Sequence, residues 1–243
     1  MDLCPIVIAS RRAHGIPGAW DDLLLAFGSV MLYAPEHKLV IAWSGESPPD
    51  IPPEYLVEQP ETCRTFGSAY NFAISQVQGD CVILNDDVVL LPDTLPKLLE
   101  DVSEIKRLGR LEPGIVGCRG SYASGEQSYS GYMVAVGYGL TSNAFQRGAG
   151  PILTIKPPSR IAPFAAWIDR TAFEQIGGLP DVDWYGDDAY GLRLHRAGFG
   201  SYVSRSYVFH IGERSSSTAG IDTRELDERG RAWAAEHEPD VIR

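Results

Sequence analysis

Short apolar runs of strand length alternate with helix-length stretches through the first third of the chain, and this alternation constrains the fold more than any other feature. Pro5 to Ala9, Leu39 to Trp43, Tyr55 to Glu58 and Cys81 to Leu84 have the length and apolar character of inner strands, while Trp20 to Tyr33 and Gly67 to Val77 carry helical patterns. Such a succession predicts an α/β fold with a mainly parallel, doubly wound central sheet flanked by helices. With 243 residues, 44% of them hydrophobic, the chain has material for one sizeable core, so one domain over 1–243 is expected. The proline-rich stretch Ser47 to Pro53 suits a connecting loop, and no internal repeat is visible.

Several function classes are disfavoured at this level. The longest apolar stretches, Asp22 to Ala34 and Cys81 to Leu91, fall short of the roughly 18 to 20 residues of a membrane-spanning helix or are broken by charge. The N-terminus runs almost directly into the first strand-like run without a secretory leader pattern, which makes a cytoplasmic location the expectation. Cys4, Cys63, Cys81 and Cys118 are widely spaced with no C-x-x-C pair and read as reduced thiols, three of them in or beside buried strands. A net charge of −11 disfavours a broad phosphate-binding surface of the kind nucleic acids need, although Arg11, Arg12 and His14 form a small basic patch. A dinucleotide-dependent oxidoreductase would carry G-x-G-x-x-G after the first strand, and Ala9 to Gly18 does not contain it.

Candidate chemistry concentrates in three places. In the first, the apolar run ending at Leu84 gives way to Asn85, Asp86 and Asp87, which puts adjacent carboxylates at the carboxyl edge of the sheet, where open α/β folds bind ligands. Two acids there suit a hard divalent cation shared with substrate phosphates, Asp87 binding the metal and Asp86 a donor ribose; the same residues also make an ordinary polar turn. In the second, Asp187 and Asp188 precede a helix that stops at Gly198. A carboxylate so placed, ionised at neutral pH, serves either as general base for an acceptor hydroxyl or as a plain helix cap. In the third, His210 ends the apolar run Tyr202 to Phe209 and offers a nitrogen ligand to a metal otherwise held by oxygen, or a structural hydrogen bond.

From Gly117 to Pro158 the chain is crowded with Gly, Ser and Tyr and has weak periodicity. This middle segment reads either as an irregular connection with a few edge strands or as an acceptor-binding region, where Tyr122, Tyr129 and Tyr132 can stack on sugar or base faces.

The order of these segments resembles the GT-A glycosyltransferases, specifically the family 2 type, from about Pro5 to Glu236. The resemblance rests on the first strand, the segment Phe66 to Ile74, and Asn85, Asp86 and Asp87 as an Asp-x-Asp-like motif. It continues through the apolar stretch Ala162 to Gly178 with its Gly-Gly turn, the acidic pair Asp187 and Asp188, Arg193 on the helix, and His210 after one more strand.

The resemblance implies a GT-A domain whose residues 1–90 bind the nucleotide sugar and whose residues 91–243, with a C-terminal helix, bind the acceptor. It implies Mn²⁺ or Mg²⁺ held by Asp87 and His210, ribose contact by Asp86, and further donor contacts from Ser10, Arg11, Arg64 and Asn71. It implies Asp188 as the base, with Asp187 as the second candidate. The expected activity is an inverting hexosyl or pentosyl transfer from a nucleoside-diphosphate sugar, a UDP-sugar in the first instance. The acceptor stays open among glycan, small molecule, protein and modified nucleic-acid base.

The chain departs from the family at two points. The acid that often follows the second strand is represented only by Glu46, and the acidic pair is Asp-Asp where Glu-Asp is usual. A non-catalytic sugar-nucleotide or glycan-binding module on the same fold is the alternative, because fold resemblance does not establish activity.

Overall fold

A computed structural model describes residues 3–12, 20–48, 50–121, 123, 125–127, 150–157, 159–212 and 222–242. His14, Tyr122, Tyr129, Tyr132 and most of the middle segment's Gly-Ser-Tyr region lie outside the described residues, as does the side chain of Arg12.

The first third folds as its pattern predicts. Strand β1 (Ile6–Arg12) pairs in parallel with β2 (Leu39–Gly45) on one side and β4 (Cys81–Asn85) on the other, and β3 (Leu56–Glu58) extends the edge beyond β2. Helices α1 (Asp21–Tyr33) and α2 (Phe66–Ser75) make the crossovers. Alternation along β1 distributes the core: Ile6 and Ile8 pack into one apolar cluster with Leu23, Ala26 and Val30 of α1, while Val7 packs into the other with Tyr70, Ala73 and Ile74 of α2.

Beyond β4 the sheet becomes mixed. The strand order is β3-β2-β1-β4-β8-β6-β9-β5, with β7 (Leu153–Ile155) also paired to β9. Strands β6 (Pro113–Gly120) and β9 (Gly200–His210) run in the direction of β1 to β4. Three short strands run against them: β5 (Val88–Val89), β7 and β8 (Ala165–Ile168). The sheet is therefore mainly parallel, as expected, but not purely so. The chain reaches β8 from the carboxyl edge of the sheet and must run back down it, between β4 and β6. A four-residue run buried along its whole length, Ala165 to Ile168, encodes a central strand but not its direction.

Helix α3 (Thr94–Arg107) leads from β5 into β6, and α4 (Arg170–Gln175) follows β8. Helix α5 (Gly186–Arg196) begins with the acidic pair and ends as expected, with Gly198 in the left-handed conformation (φ 85°) and the Phe199 N–H donating to Leu194 O. The C-terminal helix α6 (Thr223–His237) packs across the entry to α5, where a side chain at Gly230 would collide with the Trp184 carbonyl. Glu238, just past α6, accepts from Arg193 and Arg196 of α5 at 2.8 and 2.7 Å.

The close approach of α2 to the turn before α5 gives a test of this packing. A methyl group at Gly67 would lie 1.7 Å from the Pro180 carbonyl oxygen, whereas one at Gly28 on the exposed side of α1 meets nothing within 4 Å. Gly67→Ala is expected to destabilise the protein by at least about 2 kcal/mol, since backbone cannot yield as a side chain does. Gly28→Ala is expected to stabilise it by about 0.5 to 1 kcal/mol through helix propensity. Urea unfolding midpoints of the two variants check both signs.

Candidate functional site

At the carboxyl edge of β1 and β4 the sheet opens into a pocket of about 210 Å³ lined by Ser10, Arg11, Gln59, Arg64, Phe66, Tyr70, Asp86, Asp183 and Trp184, among others. Four of the five expected donor-binding residues meet here: Ser10, Arg11, Arg64 and Asp86. The Ser10 hydroxyl donates to Asp86 Oδ2 at 2.7 Å, and the Arg11 guanidinium donates to the Arg64 carbonyl at 3.0 Å. Asn71 is placed elsewhere. Its amide nitrogen donates to Leu179 O (2.8 Å) and its oxygen accepts from Leu179 N (2.9 Å), so both ends hold α2 to the Gly-Gly turn. Glu46 is exposed beyond β2 and is not among the residues lining this pocket.

Asp86 and Asp87 fill the turn between β4 and β5, each only 2% exposed. The two-residue strand β5 fixes that turn, because Val88 is in register with His210 on β9 and the Ile211 N–H donates to the Asp87 carbonyl at 3.0 Å. His210 Nε2 consequently lies 3.3 Å from Asp87 Oδ1, and its ring stacks on Phe164 at 4.6 Å between centroids. The Ser121 hydroxyl braces the histidine backbone from both sides, accepting from its N–H and donating to its carbonyl. Among the described residues Asp87 Oδ1 is buried and accepts no hydrogen bond of good geometry, the His210 ring being the group that faces it. A buried acceptor without a donor is costly. A carboxylate oxygen and an imidazole nitrogen facing one another fit the mixed oxygen and nitrogen donor set of a divalent cation. Among the described residues no group of three or more His, Cys, Asp or Glu is arranged to hold a metal, so these two would have to share it with oxygens of a bound ligand.

Three residues of this pocket are not singled out in the sequence as site residues. Gln59, after β3, donates from Nε2 to the carbonyls of Ala42 (2.7 Å) and Ser10 (3.4 Å). Both partners are acceptors, which fixes the amide orientation and leaves the buried Oε1 without a donor. Tyr70 on α2 donates to the Leu84 carbonyl at 2.5 Å, anchoring the end of β4. Asp183 accepts from Phe66 N at the start of α2 (2.8 Å) and is pushed above the ordinary carboxylate range by burial.

A second hollow adjoins the first, the two sharing Phe66, Asp183 and Trp184; it is lined further by Arg160, Pro163, Tyr185, Asp187, Asp188 and Asp227. Trp184 is 42% exposed between the two. Tyr185 then takes a left-handed conformation (φ 66°), unusual for a tyrosine, and its hydroxyl donates to Asp227 of α6 at 2.9 Å. The helix follows at once, with Asp187 and Asp188 in its first turn.

Neither acid is the N-cap. Asp187 Oδ1 accepts from the Asp188 N–H (3.1 Å), while Arg160 donates through Nε to Asp187 Oδ2 (2.8 Å) and through a terminal nitrogen to Asp188 Oδ1 (3.0 Å). Both oxygens of Asp187 are thus engaged, and Asp188 keeps Oδ2 outside this fork. The expectation that Asp188 is simply ionised at neutral pH is corrected: burial, followed by the neighbouring charge of Asp187, outweighs Arg160 and raises its pKa to about 7.

The thiols behave as expected. Cys4, Cys81 and Cys118 are buried, burial pushes each to about 12, and all four cysteines are unpaired with one another. No helix among the described residues is long and apolar enough to cross a membrane.

No model of a known protein family and no curated protein sequence matches the chain. Solved structures do. The chain superposes on S. aureus TarS 1-349 in complex with UDP-GlcNAc with a TM-score of 0.60 and 12% identity, covering 96% of this chain and 66% of that one. A second structure of TarS 1-349 gives 0.56 and 10%, covering 85% of this chain and 60% of that one. The mannosyltransferase PcManGT from Pyrobaculum calidifontis, in complex with GDP-Man and Mn²⁺, gives 0.54 and 16%, covering 96% and 67%. The chain thus has the fold of GT-A-type glycosyltransferases, over about 60 to 67% of the length of these chains.

The raised Asp188 carboxyl has a stability consequence with a definite sign. Its pKa is about 7 in the fold against an ordinary 3.8, so the folded state favours the protonated form and loses stability as pH rises from about 4 through about 7. Asp188→Asn removes that dependence. Its melting temperature is expected to gain on wild type between about pH 5 and about pH 8, and thermal unfolding at the two values measures the gain.

Proposed function

We propose that this chain is a metal-dependent, inverting glycosyltransferase that moves a sugar from a nucleoside-diphosphate donor to an acceptor hydroxyl. The observation that carries this reading is the buried Asp87 Oδ1, without a hydrogen bond and 3.3 Å from His210 Nε2, immediately beside a pocket at the carboxyl edge of the sheet. The neighbours' bound GDP-Man with Mn²⁺ and bound UDP-GlcNAc support the same chemistry for this fold.

In this reading the pocket takes the nucleoside, Asp86 the ribose hydroxyls, and the unpaired Gln59 oxygen an N–H of the base. Arg11 and Arg64 supply positive charge along the same wall. Asp87 and His210 would hold Mn²⁺ or Mg²⁺, which would supply positive charge for the departing diphosphate. Residues 1–90 then serve the donor, and residues 91–243 the acceptor.

The acceptor enters over Trp184 into the hollow of Asp187 and Asp188. Asp188 Oδ2 takes the hydroxyl proton as the oxygen attacks the anomeric carbon. The bond from that carbon to the diphosphate oxygen breaks, and the nucleoside diphosphate leaves with the bonding pair. A base that titrates near neutrality suits this step, since it is ionised enough to act and basic enough to accept. Asp187, with both oxygens engaged, is assigned the supporting role.

Calorimetry of UDP and GDP binding, with Mn²⁺ and then with a chelator, tests the donor half. Wild type is expected to bind one of them with metal and to weaken by at least about tenfold without it, a loss of about 1.4 kcal/mol. Asp87→Ala and His210→Ala should each show the weak affinity whether or not metal is present. Equal affinities in all these conditions contradict the metal assignment.

A further inference from the structure

Among the described residues, the cation that bridges the acidic pair comes from a distant element. Arg160 lies on the segment entering β8, and this segment is pinned by Gln127, a buried amide that accepts from the Ala162 N–H (2.7 Å) and donates to the carbonyls of Ala162 (3.0 Å) and Cys118 (2.9 Å). From that fixed backbone the guanidinium spans the start of α5, Nε on Asp187 and a terminal nitrogen on Asp188. The other charged or titratable groups lining the hollow are Asp183, Asp227 and the Tyr185 hydroxyl, with Arg231 of α6 behind them, 2.9 Å from Asp227 and over the Tyr185 ring. Among the described residues the cation hydrogen-bonded to Asp187 and Asp188 is Arg160.

We propose that Arg160 is the positioning residue of the acidic pair. Its two-pronged contact fixes Asp187 as an inert support and turns Asp188 so that Oδ2 faces the acceptor, while its charge keeps Asp188 available as a proton acceptor near neutral pH.

Three observations support this assignment. The fork contacts both acids through different nitrogens, a planar geometry that a lysine cannot reproduce. It engages one oxygen of Asp188 and leaves the other, whereas Asp187 has none left. Arg160 also opposes the two influences that drive Asp188 upward, burial and the adjacent Asp187, so that its loss would leave the carboxyl protonated at neutral pH. A residue serving only to tie its loop to α5 would need neither the fork nor the division between the two acids. The inference rests on the reading of Asp188 as base given above, but its central observable does not require turnover.

The test uses full-length protein labelled with ¹³C at the aspartate carboxyl carbons, the Asp188 resonance being identified by its absence in Asp188→Asn. Its titration midpoint is followed in wild type, Arg160→Gln and Arg160→Lys. Arg160→Gln is expected to move the midpoint upward by about 1 pH unit or more, the scale for losing an opposite charge at this distance. Arg160→Lys is expected to restore much of the midpoint, because it restores the charge.

UDP release from UDP-GlcNAc and GDP release from GDP-mannose, with Mn²⁺ and water as acceptor, give the second readout. The acid limb of the rate should move with the midpoint in Arg160→Gln. Arg160→Lys should stay slow at the pH optimum because the fork is missing, with donor affinity unchanged in both. An unchanged midpoint in folded Arg160→Gln overturns the proposal, as does an Arg160→Lys enzyme equal to wild type in rate. A midpoint that shifts as stated, in a protein whose wild type releases nucleotide from neither donor at any pH, upholds Arg160 as organiser of the pair and counts against Asp188 as a base acting on these two donors.

Discussion

Two adjacent carboxylates, Asp86 and Asp87, are buried at the end of a central strand, and the site is arranged around that burden. Taking carboxylates out of water costs several kcal/mol each unless something replaces the lost hydration. The replacement comes from both neighbouring parts of the sheet. β1 supplies the Ser10 hydroxyl to Asp86, and β9 brings His210 to Asp87 through its pairing with β5. Neither partner is near in sequence: Ser10 is 76 residues before Asp86, and His210 follows Asp87 by more than a hundred. Only a sheet that holds β1, β4 and β9 in register can place them, so the architecture and this end of the site are one constraint. Asp87 remains incompletely satisfied, and a cation with ligand oxygens would complete it.

The second acidic pair solves a different problem in a different way. Asp187 and Asp188 sit on a helix start rather than a strand end, where backbone N–H groups favour negative charge. Burial and mutual repulsion run against that preference and win at Asp188, with Arg160 holding the balance near neutrality. The two pairs are thus held in unlike environments within adjoining hollows, one suited to a cation and the other to proton transfer. Helix α6 stabilises this arrangement from outside. It packs on the Trp184 backbone, hydrogen-bonds Tyr185 through Asp227, and leads into Glu238, which ties down the far end of α5.

Much of this was legible in the sequence where the signal is local. The parallel half of the sheet and helices α1 and α2 follow from apolar runs whose period and length are unambiguous, and Asn85 to Asp87 stand out because acids end an apolar strand. Gly198 marked the end of α5 for the same kind of reason. The direction of β8 was not legible, because a strand buried on both faces reads alike in either sense. Asn71 looked like a donor contact, yet its amide is matched to the Leu179 backbone, a pairing 108 residues away that no local pattern encodes. Arg160 follows an unremarkable Pro-Ser stretch, and its partners lie 27 and 28 residues on. The titration of Asp188 depends on burial and a charge from that distant arginine, which a helix-start motif cannot report.

The central claim is that the two acidic pairs divide the labour, donor binding at one and proton transfer at Asp188. Single-turnover release of nucleotide from a bound donor sugar, compared between Asp188→Asn and Asp187→Asn with donor affinity measured alongside, tests it most directly. The account predicts a loss of roughly 10²-fold or more in rate for Asp188→Asn, a smaller loss for Asp187→Asn, and donor affinity close to wild type in both. A faster Asp188→Asn than Asp187→Asn would reverse the roles, and wild-type rates in both would contradict the account.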